Sequence, residues 1–196
     1  MQRISSALRK DLAAALAAGN FDITESGIAV PHLSLLVGGE YFGRVNGGEW
    51  EKEGDNLIPT EGLAHILNVA FGSKAKAACY LALFAGSSTP AANWTAANFA
   101  AVASEITSMT EGYTSATRPA WTTTDTATGS IDNLNAVATV TIATASQLNV
   151  NGAALLTNNT KGGTTGVLVS ASKYAATRVF QNGDTYDIGY RLNLTV

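Results

Sequence analysis

The sequence has little charge, a single cysteine and no long apolar run. Asp, Glu, Lys and Arg make up 14% of its 196 residues, against about 25% in an average domain. The net charge is −3 and the basic residues are scattered, so nucleic acid is not expected as the main partner. One cysteine, Cys79, excludes an intramolecular disulfide and a cysteine-rich zinc site. The sequence contains no run of about 18 apolar residues, the length that a membrane-spanning helix needs, and we expect no membrane partner.

The sequence lacks a recognisable catalytic group. Neither His32 nor His65 has a His, Cys or carboxylate at metal-ligand spacing, and Cys79 lies in an apolar segment typical of a buried, unreactive thiol. Glu105 and Asp132 would form a glycosidase-like pair only if the fold brought them together. We therefore predict a protein without enzymatic activity, cofactor or metal.

The N-terminal residues predict a helix with a narrow apolar stripe. Ile4, Leu8, Leu12 and Leu16 recur every fourth residue, and Gly19-Asn20 follows as a stop signal. Arg3, Arg9 and Lys10 precede only a short alanine-rich run, residues 12–18, and this pattern does not match a signal peptide. Two interpretations stay open: the helix packs on its own domain, or it is an arm that docks on a neighbouring subunit.

Residues 21–56 contain many turn-forming glycines. The segments 40–45 and 49–52 predict a small hairpin across Asn46-Gly47, and the carboxylates between residues 49 and 55 are expected on a solvated strand edge. We hypothesise that residues 1–56 are the main contact element with another subunit, through the stripe and exposed aromatic side chains. The candidate contact residues are Ile4, Leu8, Leu12, Leu16, Tyr41, Phe42 and Trp50.

Residues 57–196 predict the folded domain. A helix is expected from Thr60 to Gly72, with Leu63, Ile66, Leu67 and Ala70 at helical spacing, and a second one over residues 96–104. Residues 77–84 are apolar at almost every position, which predicts a strand covered on both faces.

From Asp132 onward, alternating apolar residues predict strands. Asn151-Gly152 predicts a turn, and residues 181–184 predict the turn of a final hairpin between segment 175–180 and a long last strand. In that strand Ile188, Leu192 and Leu194 all occupy even-numbered positions, so their side chains point to the same face. We expect this face in the core and the opposite face in solvent. The fold class is mainly β: an antiparallel β-sandwich or jelly roll with a helical N-terminal segment and two short helices.

Several motifs resemble those of tailed-bacteriophage virion proteins. They include Asn-Leu-Ile-Pro-Thr-Glu-Gly-Leu-Ala-His-Ile-Leu at 56–67, Tyr-Leu-Ala-Leu-Phe at 80–84, Thr-Pro at 89–90, residues 95–99, Thr-Arg-Pro-Ala-Trp at 117–121, and residues 152–156, 161–163 and 183–184. The resemblance covers residues 35–196. In this region the sequence resembles capsid cement or decoration proteins built on a β-sandwich. The helical N-terminus has no counterpart in it.

The resemblance implies a structural component of the virion, made in the host bacterial cytoplasm. Its expected partners are the major capsid protein and copies of itself in a homo-oligomer. A tail or fibre-attachment protein of the same particle is the alternative, and a carbohydrate-binding domain is a third, supported by fold analogy alone.

Overall fold

The computed structural model describes residues 10, 13–14, 17, 21–23, 25–26, 29–31 and 36–195. The chain forms two compact units, which divide after residue 36. In the first unit, strand β1 (Phe21–Ile23) pairs antiparallel with strand β2 (Ala29–Pro31). Of the predicted N-terminal helix only Lys10, Ala13, Ala14 and Ala17 are described, and these are helical.

Ten further strands build two sheets. They are β3 (Leu36–Val45), β4 (Glu51–Asp55), β5 (Cys79–Phe84), β6 (Gly112–Tyr113), β7 (Ala120–Trp121), β8 (Ser130–Asp132), β9 (Ala138–Ala143), β10 (Leu148–Leu156), β11 (Leu168–Phe180) and β12 (Thr185–Thr195). One sheet has the order β4-β3-β12-β9-β6, with β8 also paired to β12, and the other has the order β11-β10-β5-β7. The predicted antiparallel β-sandwich is confirmed, whereas this strand order does not establish a jelly roll.

The main core combines apolar residues from both sheets. Ile188 and Val140 come from the six-stranded sheet, and Leu81, Val150 and Leu155 come from the four-stranded sheet. These residues alternate along their strands with side chains on the opposite face, as the period of two in a β-strand requires.

Two helices have described bounds, α1 (Thr60–Ala70) and α2 (Ala96–Ala103), and both were predicted. A second apolar cluster joins Phe99 of α2 and Trp94 to Phe84 and Leu156 on the four-stranded sheet. Strand β5 therefore contributes to clusters on both of its faces, as its apolar sequence predicted.

The hairpin across Asn46-Gly47 is present, but it belongs to the six-stranded sheet. Asn46 and Gly47 have φ of 51° and 69°, and the Gly48 N–H donates to the Val45 carbonyl at 2.9 Å, the geometry of a mirror-image turn that favours Asn-Gly. The sheet order places β3 directly beside β12. The expected boundary near residue 56 thus differs from the observed compact units, which divide after residue 36.

The prediction of a final hairpin is wrong. Strands β11 and β12 are consecutive in sequence, yet β11 pairs with β10 while β12 pairs with β9 and β8. The turn between them is closed by Asp184, whose N–H donates to the Gln181 carbonyl at 3.2 Å and whose carboxylate accepts from the Gln181 N–H at 2.7 Å. The turn residues are those of a hairpin, but here they lead the chain from one sheet to the other.

The predicted turn at Asn151-Gly152 is instead a bulge within β10. The pairing with β11 shifts between Val150 and Gly152, so the strand continues. A Cβ at position 152 would overlap the Phe84 ring and the Ser172 carbonyl oxygen, which explains the glycine.

The last strand is covered on both faces in its middle and exposed at its end. Ile188 is fully buried and Leu192 packs against the main core, as expected. Leu194, however, is 43% exposed, because it lies near the end of the strand. Asp187 on the expected wet face is buried, because it accepts from Arg44 at 2.6 Å and from Thr139.

A polar layer lies inside the sandwich, around four buried tyrosines. The Tyr186 hydroxyl donates to Glu53 Oε1 at 2.9 Å and lies 3.1 Å from the Tyr174 hydroxyl, and Arg178 Nε donates to Glu53 at 2.9 Å. The Tyr41 hydroxyl lies 2.8 Å from Ser170 Oγ. Glu53 is therefore not on a solvated edge as expected, since Arg178 and Tyr186 compensate its charge in the interior.

Alkaline titration should detect this polar layer. Burial raises the pKa of Tyr41, Tyr174, Tyr186 and Tyr190 above the ordinary value, which is about 10 in an unfolded chain. Above about pH 10 the unfolded state therefore binds fewer protons, and the free energy of unfolding falls as the pH rises. We expect these four phenols to ionise only as the protein unfolds, which phenolate absorbance and near-ultraviolet circular dichroism can follow together. Ionisation of all four near pH 10 with an unchanged native spectrum would contradict this.

Candidate functional site

The structure separates the contact residues predicted from the sequence. Ile4, Leu8, Leu12 and Leu16 lie outside the described residues. The expectation that Tyr41 is exposed is wrong, because the side chain points between the sheets and is completely buried, with its ring centroid 4.5 Å from that of Tyr190.

Phe42 and Trp50 are half-buried. The Arg44 guanidinium lies 4.7 Å from the Trp50 ring centroid, and the Arg191 guanidinium lies 5.4 Å from that of Phe42. Both arginines are also paired with carboxylates, Arg44 with Asp187 and Arg191 with Asp132. The two rings are thus already in contact with cations of their own chain, which reduces what they offer to a partner.

The residues considered for catalysis are not assembled into one site. Glu105 is bound by Arg118, whereas Asp132 is bound by Arg191. His32 lies outside the described residues, and within the described ranges no group of three or more His, Cys, Asp or Glu side chains is arranged to hold a metal ion. Among the described residues, no helix is long and apolar enough to span a membrane.

Glu105 and Arg118 instead form the centre of a buried ionic cluster. Arg118 binds Glu105 with two hydrogen bonds of 2.7 Å, and both side chains are fully buried. Arg118 also donates to the Asn158 carbonyl at 2.8 Å, and Glu105 accepts from the Gly162 N–H at 2.9 Å. The pair therefore links the segment 105–118 to the loop around residues 158–162, which is a structural role.

Lys161, in the loop around residues 158–162, adds further contacts to the segment 105–118. Its ammonium donates to the carbonyl oxygens of Ser115, Tyr113 and Ser108 at 2.8, 3.0 and 3.4 Å and lies 3.6 Å from the Tyr113 ring centroid. Burial lowers the pKa of Lys161. Since its donors are directed at backbone carbonyls, Lys161 holds the loop that precedes Arg118.

The most prominent exposed apolar feature of the described residues lies along α1. Leu63 is 43% exposed, Leu67 59% and Phe71, which follows the helix, 85%. A spacing of four residues places them on one side of the helix, and we call them the α1 stripe. The sequence predicted the helix but not this exposure, because Gly62 and Ile66 are the residues that turn toward the sheets.

A solvent-open pocket of about 230 Å³, which we call the α1 cavity, lies beside the same helix. Its lining is almost entirely apolar and includes His65, Ile66, Val69, Ala70, Lys76, Ala77, Cys79, Trp121, Leu155, Val169 and Leu192. The Nδ1 atom of His65 is buried and has no hydrogen-bond partner among the described residues. Burial also raises the pKa of the Cys79 thiol, which disfavours a reactive thiolate.

The α1 stripe and the α1 cavity together are the candidate functional site. Large apolar side chains in solvent beside an apolar cavity are typical of a surface that binds another molecule. Comparisons of the chain with protein-family models, with curated proteins and with solved structures find no match.

Proposed function

We propose that the protein is a non-enzymatic structural component of a tailed-phage particle, a capsid cement protein that binds the major capsid protein and copies of itself. The observation that carries the proposal is the α1 stripe, where Leu67 and Phe71 are 59% and 85% exposed. Exposed apolar patches of this kind mark interaction sites in soluble proteins. The resemblance of residues 35–196 to virion proteins supports the major capsid protein as the partner.

The mechanism is binding energy repeated over many copies. Burying Leu67 or Phe71 against a neighbour contributes about 1.5–3 kcal/mol each, and several such contacts per subunit add through avidity. The low charged fraction of 14% suits a surface that is packed against neighbours, since charges are costly to desolvate while hydroxyls and amides are easily paired.

Replacing the two most exposed residues of the α1 stripe should abolish attachment to particles. We expect Leu67→Ser with Phe71→Ser to reduce binding to particles that lack this protein by at least tenfold, because about 1.4 kcal/mol corresponds to a factor of ten. The double variant should keep its melting temperature, since these side chains are largely in solvent. Sedimentation of particles with bound protein measures the effect.

A matched control removes two exposed apolar side chains elsewhere. Met109 and Val179 are 49% and 54% exposed and lie outside α1, so Met109→Ser with Val179→Ser should bind particles as the wild type does. Equal binding of the α1 variant and the wild type would overturn the proposal. Copy number decides between the two locations in the particle: hundreds of copies indicate the shell, and a dozen or fewer indicate the alternative, a tail or fibre-attachment protein.

A further inference from the structure

Asn-Gly sequences are points at which a protein chain can modify itself. Glycine has no side chain to keep its backbone nitrogen away from the side-chain carbonyl of the preceding asparagine, so the nitrogen can attack and displace the amide. The sequence contains three such pairs, at 46–47, 151–152 and 182–183. The reaction needs a backbone N–H that solvent can deprotonate and a side-chain carbonyl oxygen on which negative charge can develop. The three pairs differ in both respects.

The attacking nitrogen is free at one of the three pairs. The Gly47 N–H lies in an exposed turn and has no hydrogen-bond acceptor among the described residues. The Gly183 N–H, although also in an exposed turn, donates to the Ile142 carbonyl at 2.9 Å. Gly152 is buried within β10. Solvent hydroxide can therefore take a proton from Gly47 more easily than from the other two glycines.

The side-chain amide of Asn46 is held and polarised by the start of β12. Its Oδ1 accepts from the Thr185 N–H at 2.8 Å and from the Thr185 hydroxyl at 3.4 Å, and its Nδ2 donates to Asp184 at 2.9 Å. Donors that are fixed where negative charge develops stabilise the intermediate of an attack on a carbonyl. At Asn182 the corresponding oxygen accepts from the Thr144 N–H at a longer distance, 3.2 Å.

We propose that Asn46 is a site of spontaneous deamidation in the folded protein. Hydroxide removes the Gly47 N–H proton and the nitrogen bonds to Asn46 Cγ, with the charge on Oδ1 next to the Thr185 donors. The Cγ–Nδ2 bond then breaks, and Nδ2 takes a proton from water and leaves as ammonia. Water opens the resulting cyclic imide, which gives aspartate or isoaspartate at position 46. The net reaction consumes one amide and one water and yields one carboxylate and one ammonium ion.

The product changes the contact between β3 and β12. A carboxylate at position 46 no longer donates to Asp184 and places a second negative charge beside it. The Asn46 amide lowers the pKa of Asp184, so the loss of this donor and the new charge should both raise that pKa. We expect Asn46→Asp, which reproduces the aspartate product, to raise the pKa of Asp184 in an NMR titration relative to the wild type.

The decisive experiment follows Asn46 and Asn182 in the same sample of the whole protein. The tryptic peptides 45–52 and 179–191 contain one asparagine each, so their mass increases report the two sites separately after incubation in mildly alkaline buffer. In the folded protein Asn46 should convert at least about tenfold faster than Asn182, a difference of about 1.4 kcal/mol in activation free energy. In the chain unfolded by urea the two rates should be similar, since both asparagines then precede a free glycine.

A matched variant tests the same site without peptide mapping. Asn46→Gly keeps the turn, because glycine adopts a positive φ without strain, and it should abolish the early release of ammonia from the folded protein. The proposal is overturned if Asn46 and Asn182 convert equally fast in the folded protein, if Asn46 converts only after unfolding, or if Asn46→Gly releases ammonia as the wild type does. These measurements use the isolated protein, so they do not depend on the proposed function.

Discussion

Arg118→Met should lower the free energy of unfolding by about 3–5 kcal/mol, the usual loss when one partner of a buried ion pair is removed. The variant leaves the Glu105 carboxylate fully buried, with the Gly162 N–H as its remaining described hydrogen-bond donor. In a chain of this size the loss corresponds to a decrease of roughly 6–20 °C in melting temperature. Denaturant unfolding followed by circular dichroism measures it.

Arg191→Met is the matched control, because Arg191 also pairs with a carboxylate but is 34% exposed. An ion pair in contact with solvent contributes about 1 kcal/mol or less, so this variant should remain close to the wild type. Combining Arg118→Met with Glu105→Leu should cost less than the sum of the two single changes, since neither charge is then left unpaired. A loss below about 1 kcal/mol for Arg118→Met would show that the ionic cluster does not hold the two loops together.

Gly62→Ala should destabilise the protein by about 1–3 kcal/mol, as overpacked positions do, although alanine normally stabilises a helix relative to glycine by about 1 kcal/mol. A Cβ at this position would lie 2.9 Å from the Val169 carbonyl carbon and 3.0 Å from the Leu168 carbonyl oxygen, and closer still to the Val169 carbonyl oxygen. The helix cannot easily move away, because Glu61 accepts from the Leu168 N–H at 2.7 Å and from the Ala96 N–H at 2.8 Å. Thermal unfolding measures the change.

Asn68→Ala on the exposed side of α1 is the control for helix propensity and should raise stability by a few tenths of a kcal/mol. A Gly62→Ala variant as stable as the wild type would mean that α1 is free to shift on β11. If the helix does shift, the α1 stripe moves with it, and particle binding should weaken although stability is kept.

Local sequence patterns predicted most elements but not how the strands pair. The sequence predicts a helix over residues 96–104, and the helix is observed at Ala96–Ala103. This prediction succeeds because a helix N-cap and the helical spacing of apolar residues depend only on residues that are close in sequence. The sequence predicts that residues 181–184 form the turn of a hairpin, yet this turn connects the two sheets. Turn residues specify a reversal of the chain, whereas the choice of sheet depends on partners far away in sequence.

Buried charge was the least predictable feature for the same reason. Glu53 and Arg178 are 125 positions apart, so the alternating carboxylates near Glu53 were interpreted as solvated. Tyr41 was expected to be exposed because glycines surround it, but β12 and Ser170 enclose it. The candidate site was missed because Leu63 and Leu67 have the spacing of core residues, and only the packing of Gly62 against β11 shows which side of α1 remains uncovered.

The position of β12 between β3 and β9 sets an order of events during translation. Asn46, next to β3, bonds to Thr185 at the start of β12, 139 residues later. At about 5–20 residues per second, the ribosome needs roughly 7–28 s to add this length of chain. During that interval β3 can pair with β4 but not with its other neighbour, so one of its edges stays open to aggregation. The six-stranded sheet is therefore completed late, and a nascent chain stalled before residue 185 is the species that most needs a chaperone.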